Sequence, residues 1–373
     1  MDSYERLLNR IAAQCTDCGI CQRECELLRR FGTPRSIADR LISDKSSSRI
    51  GFLCNLCGLC AVVCPKGLDP SLLFLESRRY LVAHNPEILK PFGPLRRFET
   101  LGKGRLFSYF RVKPGTRRIF FPGCSLPGKR PDLVIKAYEF LKSFDPALGI
   151  VLDCCSKPSH DLGDSGTFFT RFQRLCHRLE HAGIGEVIVA CPNCYRVFEG
   201  YGDTLKVKTI YEIIVENAHL EPINSKINMS DSPFVTVHDP CSIRPYEHIH
   251  SAVRSILSGL GFRVVEMQHS HNKTFCCGEG GAVRFIDKGL SALWKEKRKK
   301  EAQERPIVTY CAGCLSILGQ DLRVYHVLDL YFSPRKGLDH HGKRPPHGLK
   351  TYLNRLYLKA LFTLGLPWSP KEG

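Results

Sequence analysis

Apolar residues recur along this chain in two distinct periods. Near the start, Tyr4, Leu7, Leu8 and Ile11 fall on one helical face, with Asp2 or Ser3 placed to cap it, and the stripe runs directly into Cys15. Further on, short apolar runs predict strands: Ile119-Phe120-Phe121, Glu186-Val187-Ile188-Val189-Ala190, Phe234-Val235-Thr236-Val237 and Ile307-Val308-Thr309-Tyr310. Between them the helical period returns. Pro131 opens a helix through Phe144, a second runs from about Phe168 to Ala182 and stops at Gly183, and a third covers Ser251 to Leu260. Strands alternating with helices predict parallel α/β units, whose ligands gather at strand carboxyl ends. Near the end, Leu349, Tyr352, Leu353, Leu356, Ala360, Leu361 and Leu364 lie at helical spacing opposite Lys350, Arg355 and Lys359, and Pro367 and Pro370 stop the pattern. Such a helix suits a membrane surface, a partner protein, or the chain's own body.

The strands carry an internal repeat over about 118 to 331. The first unit runs from Ile119-Phe120-Phe121 through Pro122-Gly123 to Cys124, then to Cys154-Cys155, and then to Cys191-Pro192-Asn193-Cys194 at the end of a strand. The second runs from Phe234-Val235-Thr236-Val237 through His238-Asp239-Pro240 to Cys241, then to Cys276-Cys277-Gly278, and then to Cys311-Ala312-Gly313-Cys314. Each unit places one cysteine, an adjacent pair and a Cys-x2-Cys in the same order.

The 19 cysteines decide the class of chemistry. Met1 to Arg10 carry charges and lack the apolar centre of a signal peptide, and no apolar run approaches the roughly 18 residues of a membrane span, so a cytoplasmic location is expected. In a reducing compartment regularly spaced cysteines mean metal or catalysis, not disulfides. Cys176 alone lies outside a motif; set at helical spacing among Phe168, Phe169, Phe172, Leu175 and Leu179, it reads as a small core residue. The net charge of +17 is partly offset once anionic clusters are loaded, by about −2 per cubane. The remainder favours an acidic protein partner or an anionic membrane surface on the inner face of the cell membrane. Nucleic acid is not expected, because the basic residues are dispersed and carry no interleaved aromatic platforms.

Within residues 1–90, Cys15, Cys18, Cys21 and Cys25 follow C-x2-C-x2-C-x3-C, and Cys54, Cys57, Cys60 and Cys64 repeat it with Pro65 behind. This is the spacing of bacterial two-cluster ferredoxins, in which the fourth cysteine of each run crosses to the other cluster. Cys15, Cys18, Cys21 and Cys64 are therefore expected to hold one 4Fe–4S cubane, and Cys54, Cys57, Cys60 and Cys25 the other. Gly19 and Gly58, at matching positions, are expected to let the backbone approach the sulfurs closely. Structural zinc is the competing occupant, but it needs four ligands and not a third cysteine at x2 spacing in both halves.

The five-cysteine pattern, twice in tandem behind a two-cubane module, resembles the CCG-domain family, and its architecture resembles the D subunit of heterodisulfide reductase, which looks like fused C and B subunits. The resemblance spans about residues 10 to 331. It implies an α/β fold with an N-terminal helical ferredoxin-like domain and two tandem Rossmann-like CCG domains related by a pseudo-twofold axis. It also implies two noncubane 4Fe–4S clusters besides the two cubanes. Carried over by motif position, Cys124, Cys154, Cys155, Cys191 and Cys194 would hold one, and Cys241, Cys276, Cys277, Cys311 and Cys314 the other, with the disulfide substrate between them. Serine at 156, where the family has glycine, leaves the first site's turn less secure. Zinc remains the alternative at each site. The loop Gly278-Glu279-Gly280-Gly281 lacks the G-x-G-x-x-G spacing and reads as a cluster-wrapping turn. His238, His269, His271 and Glu279 flank the second motif as candidate proton donors or as plain structural residues.

The expected division is 1–90 ferredoxin-like, 91–117 a basic linker rich in proline and glycine, 118–230 and 231–331 the CCG domains, and 332–373 a basic tail. The expected function is an iron–sulfur oxidoreductase component that reduces a disulfide or thiol-linked substrate. A relay between a flavoprotein and a membrane cytochrome or quinone module is the alternative, and a zinc-held scaffold a third.

Overall fold

The computed structural model describes residues 3–217, 233–333 and 345–365. The expected cap at Asp2 and the final prolines, Pro367 and Pro370, lie outside the described residues.

The first helix, Ser3–Gln14, buries Tyr4, Leu8 and Ile11 against Ile37, Ala38 and Leu41 of the helix Pro34–Ser43 and against Leu73 and Phe74 of Pro70–His84. Tyr4 stacks on Tyr80 with 5.2 Å between centroids. The first eight motif cysteines lie within this small helical layer, whose apolar core is completed by Val283 and Leu290 from the second repeat.

The rest is mixed α/β. Strands β1 (Tyr109–Arg111), β2 (Arg118–Phe121), β3 (Gly149–Leu152), β4 (Glu186–Val189) and β5 (Lys206–Thr209) form a sheet in the order β1-β3-β2-β4-β5. Strands β6 (Phe234–His238), β7 (Arg263–Val264), β8 (Ile307–Thr309) and β9 (Val324–His326) form a second, in the order β7-β6-β8-β9. All neighbours are parallel except β1, which runs antiparallel to β3. The order β3-β2-β4-β5 corresponds strand for strand to β7-β6-β8-β9. Phe121 at the end of β2 pairs with Val189, and His238 at the end of β6 pairs with Thr309. Residues with no exposed surface fill the space between sheet and helices, Phe120, Val187, Val237 and Val308 among them. That continuous burial is why these strands are apolar runs and not alternating ones.

The expected helices appear as Pro131–Phe144, Ser165–His181 and Glu247–Gly259. Cys176 is buried in the core beside Phe172 and Leu179, although its expected neighbour Phe169 is 39% exposed.

Two segments differ from expectation. Residues 91–117 are not an open linker: they contain the helix Gly93–Lys103 and the strand β1. Pro94 sits in the helix's first turn, where its missing N–H is no loss. Glu99, with no exposed surface, anchors the helix by accepting from the Ser159 amide (3.0 Å) and from Arg171 (3.1 Å). The tail helix, Leu349–Leu364, packs on the body, but on a face other than the expected apolar stripe. Thr351, Arg355, Leu358, Leu361 and Phe362 are buried, whereas Leu349, Leu353, Tyr357 and Leu364 are exposed. Arg355, expected on the polar face, points inward. It donates to the Gly102 carbonyl (2.9 Å) and lies over the rings of Phe98 and Phe107. No helix among the described residues is long and apolar enough to cross a membrane.

Candidate iron–sulfur sites

The ferredoxin-like half contains two cysteine-lined cavities. Cys15, Cys18, Cys21 and Cys64 line one, and Cys25, Cys54, Cys57 and Cys60 line the other. Each fourth thiol of a run lies in the cavity of the opposite run. The loops turn through left-handed residues at matching places: Asp17 (φ 52°) and Gly19 (φ 73°) in one, Leu56 (φ 53°) and Gly58 (φ 71°) in the other. A Cβ at Gly19 or Gly58 would meet nothing closer than 3.9 Å. These glycines supply the positive φ that starts each short helix. Backbone N–H groups turn toward sulfur, from Leu56 to Cys54 Sγ (3.3 Å) and from Leu68 to Cys64 Sγ (3.4 Å).

Each repeat collects its five cysteines at the carboxyl ends of its strands. In the first, thiol contacts run from Cys124 to Cys154, Cys154 to Cys155, Cys155 to Cys194 and Cys194 to Cys191. In the second they run from Cys241 to Cys276, Cys276 to Cys277, Cys277 to Cys314 and Cys314 to Cys311. The turn after each adjacent pair is left-handed. Gly278 has φ 94°, and a Cβ there would lie 2.5 Å from the Ser291 carbonyl oxygen. Ser156 takes φ 60° with its side chain fully buried, so serine occupies the turn that glycine normally would, at a local conformational cost of about 1 kcal/mol.

The ferredoxin-like half and the second repeat are joined through their cluster loops. A Cβ at Gly280 would lie 2.5 Å from the Asn55 carbonyl oxygen, and one at Gly281 would overlap that of Cys54. Asn55 Nδ2 donates to the Gly280 carbonyl (3.1 Å). Cys57 shares an apolar cluster with Phe275, Cys276 and Trp294. Two buried arginines brace this seam. Arg78 donates to the carbonyls of Gly51 (2.9 Å), Cys54 (2.5 Å), Asp161 (2.5 Å) and Gly281 (2.9 Å). Arg244 donates to those of Cys57 (3.0 Å), Thr274 (2.8 Å) and Asn272. A lone arginine in a helix or after a cysteine carries no sequence signal of such a role.

The two repeats also meet. The single O–H of Tyr211 is shared between the carbonyls of Ala190 and Tyr310, each just before a Cys-x2-Cys. Lys129 donates to the Ala312 carbonyl (3.2 Å), and burial lowers its pKa although Glu279, Cys311 and Cys124 lie close enough to oppose that shift. It is a cation between the two repeats, and nothing in its sequence surroundings marks it.

The electrostatics fit an iron–sulfur occupant. Burial, followed by the charge of neighbouring cysteines, pushes Cys54 and Cys60 well above the ordinary thiol range and Cys25 up to about 12. Cys277 instead falls to about 6, because Cys276 and Cys314 both donate to it. Crowded, buried thiolates repel one another unless a metal supplies the opposing charge, and a coordinating metal deprotonates them outright. The cysteine-rich donor sets suit iron–sulfur clusters.

Of the candidate donors, His269 is held between Glu301 and Glu24 and stacked on Phe275, and His271 pairs with Glu247 at 2.8 Å. Glu279 lies 3.5 Å from Arg284. Burial, helped by Arg298, pushes His238 down to about 3.

Residues 11–68 match the 4Fe-4S dicluster domain, and residues 235–319 match the cysteine-rich domain CCG. The B subunit of the CoM/CoB fumarate reductase of Methanothermobacter marburgensis is 26% identical over 287 residues, covering 70% of this chain and 55% of that protein. The D subunit of the dihydromethanophenazine:CoB–CoM heterodisulfide reductase of Methanosarcina barkeri is 24% identical over 290 residues, covering 70% of this chain and 69% of the relative. A hypothetical protein from Helicobacter pylori shares the fold at a TM-score of 0.50 and 10% identity, over 94% of this chain and 74% of its own. The chain carries a 4Fe-4S dicluster domain followed by a cysteine-rich CCG domain, and over about 70% of its length it resembles the D subunit of heterodisulfide reductase.

Proposed function

We propose that this chain is the disulfide-reducing iron–sulfur component of a larger oxidoreductase assembly. The observation that carries the reading is the seam at Cys57 and Cys276, where a ferredoxin-like ligand set and a CCG ligand set share one buried cluster. The proposed holders are Cys15, Cys18, Cys21 and Cys64 for one cubane and Cys25, Cys54, Cys57 and Cys60 for the other. Cys124, Cys154, Cys155, Cys191 and Cys194 would hold the third cluster, and Cys241, Cys276, Cys277, Cys311 and Cys314 the fourth. Clusters so held supply one-electron acceptance and donation. The protein's part is to set the ligand groups side by side, to exclude water from the seam, and to present Lys129 between the two repeats. That ammonium is placed to favour an anionic thiolate or to give it a proton. The pseudo-twofold relation of the repeats belongs to the same proposal, with the matching strand orders as its support. So do the partners: a flavoprotein, or a membrane cytochrome or quinone module, whose acidic surface would suit the net charge of +17.

The test is single-turnover cleavage of small disulfides by chemically reduced, iron-loaded protein. Cys155→Ala and Cys277→Ala are each expected to abolish cleavage, with the double variant scarcely worse, as groups acting as one unit behave. Normal cleavage by Cys155→Ala would reject the shared site. No cleavage by loaded wild type over a panel of disulfides would favour the relay.

A further inference from the structure

His238 marks a chemical difference between the two repeats at the strand end that leads into the first cysteine of each motif. It lies three residues before Cys241, at the carboxyl end of β6, where the first repeat has Phe121 three residues before Cys124. Both side chains have no exposed surface. Phe121 needs no polar partner and packs edge-on against Phe198, with 5.3 Å between centroids. The imidazole of His238 has none either, since neither Nδ1 nor Nε2 finds a hydrogen-bond partner. Stranding a buried polar atom in this way is destabilising unless a partner satisfies it. The ring is nevertheless aimed at a functional place. A ring nitrogen of His238 and the sulfurs of Cys277 and Cys314 all lie within 4.8 Å of one another, the only such three-donor group among the described residues. Three donors bound to one metal at about 2.0–2.3 Å stand at separations within that limit.

We propose that His238 is a nitrogen ligand to iron in the cluster of the second repeat, which makes the two CCG sites unequal. The inference rests on the reading that this repeat holds iron. Bonding to iron satisfies one orphaned nitrogen, and no rearrangement of the strand is needed because β6 already delivers the ring. With the imidazole at one iron position in place of one of the five thiolates, the ligand set carries less negative charge and the reduction potential rises, as where histidines replace cysteines in Rieske centres. Electrons shared between the two CCG sites would then rest on the second. The first repeat, with phenylalanine at the equivalent position, would have the lower potential.

The experiment uses the full chain, reconstituted anaerobically and labelled with 15N-histidine, and reads the reduced protein by pulsed EPR together with metal analysis. A strong 15N hyperfine coupling of the kind a directly bonded nitrogen gives is expected, and it should vanish in His238→Phe, which copies the first repeat. In His238→Cys the midpoint potential of the same signal is expected to shift downward. If His238→Phe does not fold, His238→Gln serves to assign the coupling. A loaded wild type with only weak, hydrogen-bond-like coupling, or with none, overturns the ligand assignment while leaving the cluster in place. Iron in the other three sites but none in the second repeat overturns the underlying reading of that site, and the ligand with it.

Discussion

Arg78 offers the sharpest test of how the halves are held together. Its guanidinium has no exposed surface and no carboxylate partner; four backbone carbonyl oxygens satisfy it, from Gly51, Cys54, Asp161 and Gly281. Those carbonyls belong to the ferredoxin-like half, the first repeat and the second repeat, so one side chain closes three segments. Burial pulls its pKa down to about 10, which leaves it charged at neutral pH. Arg78→Met keeps much of the stem's volume and strands the four acceptors at about 1–3 kcal/mol each. The guanidinium's own desolvation, several kcal/mol, is relieved at the same time. The net loss should be about 3–5 kcal/mol, the range for breaking a buried charged network. With an unfolding entropy of about 2.1 cal/mol/K per residue, 3 kcal/mol over this chain is ~4 °C in Tm. The assay is thermal unfolding of anaerobic protein at matched iron content, beside Arg79→Met. Arg79 makes a partly exposed pair with Glu76 (2.7 Å), worth at most ~0.5 kcal/mol. Arg78→Met protein that melts with the wild type would refute the bracing role.

Two further outcomes follow from particular side chains. At the turns after the cysteine pairs, Gly278→Ala is expected to lose iron from the second repeat, since its Cβ would meet the Ser291 carbonyl at 2.5 Å. Ser156→Gly should retain iron and gain up to ~1 kcal/mol by relieving a left-handed serine; iron analysis and melting check both. His326 is held down at about 3 by burial and by Arg130, and its Nδ1 accepts from the Leu328 amide (3.3 Å) to cap the helix Val327–Phe332. The unfolded chain takes up that proton first, near its free value of about 6.5. The contribution is therefore complete above about pH 6.5 and is lost as pH falls toward 3, by about 1.4 kcal/mol at roughly pH 5.5. Denaturant midpoints measured from neutral to about pH 5 should fall less steeply in His326→Asn than in wild type, by this contribution, because asparagine keeps a cap that does not titrate.

Much of this protein is local and could be read from the chain. The x2 spacing of Cys15, Cys18 and Cys21 obliges a tight loop, and apolar runs such as Ile119-Phe120-Phe121, set between turn residues, read as strands buried on both faces. Strand and helix order follow from such runs because periodicity is a property of neighbours in sequence. Where composition and packing disagree, the chain alone misleads. Residues 91–117 carry the prolines and glycines of a linker, yet Glu99 finds Ser159 and Arg171 across the fold and makes a helix of them. The tail helix shows an apolar stripe, yet its buried face is chosen by Gly102, Phe98 and Phe107, which receive Arg355. Arg78, Arg244, Lys129 and the aim of His238 are purely tertiary. Each is defined by groups far away in sequence, as Arg78 is by Gly281, and a residue's partners across the fold leave no period behind them. Spacing and periodicity were enough to locate the motif cysteines and the strands that lead into them. How those cysteines stand together was left to the packing of one cluster loop on another, because contact between distant segments depends on the shape of the whole folded chain.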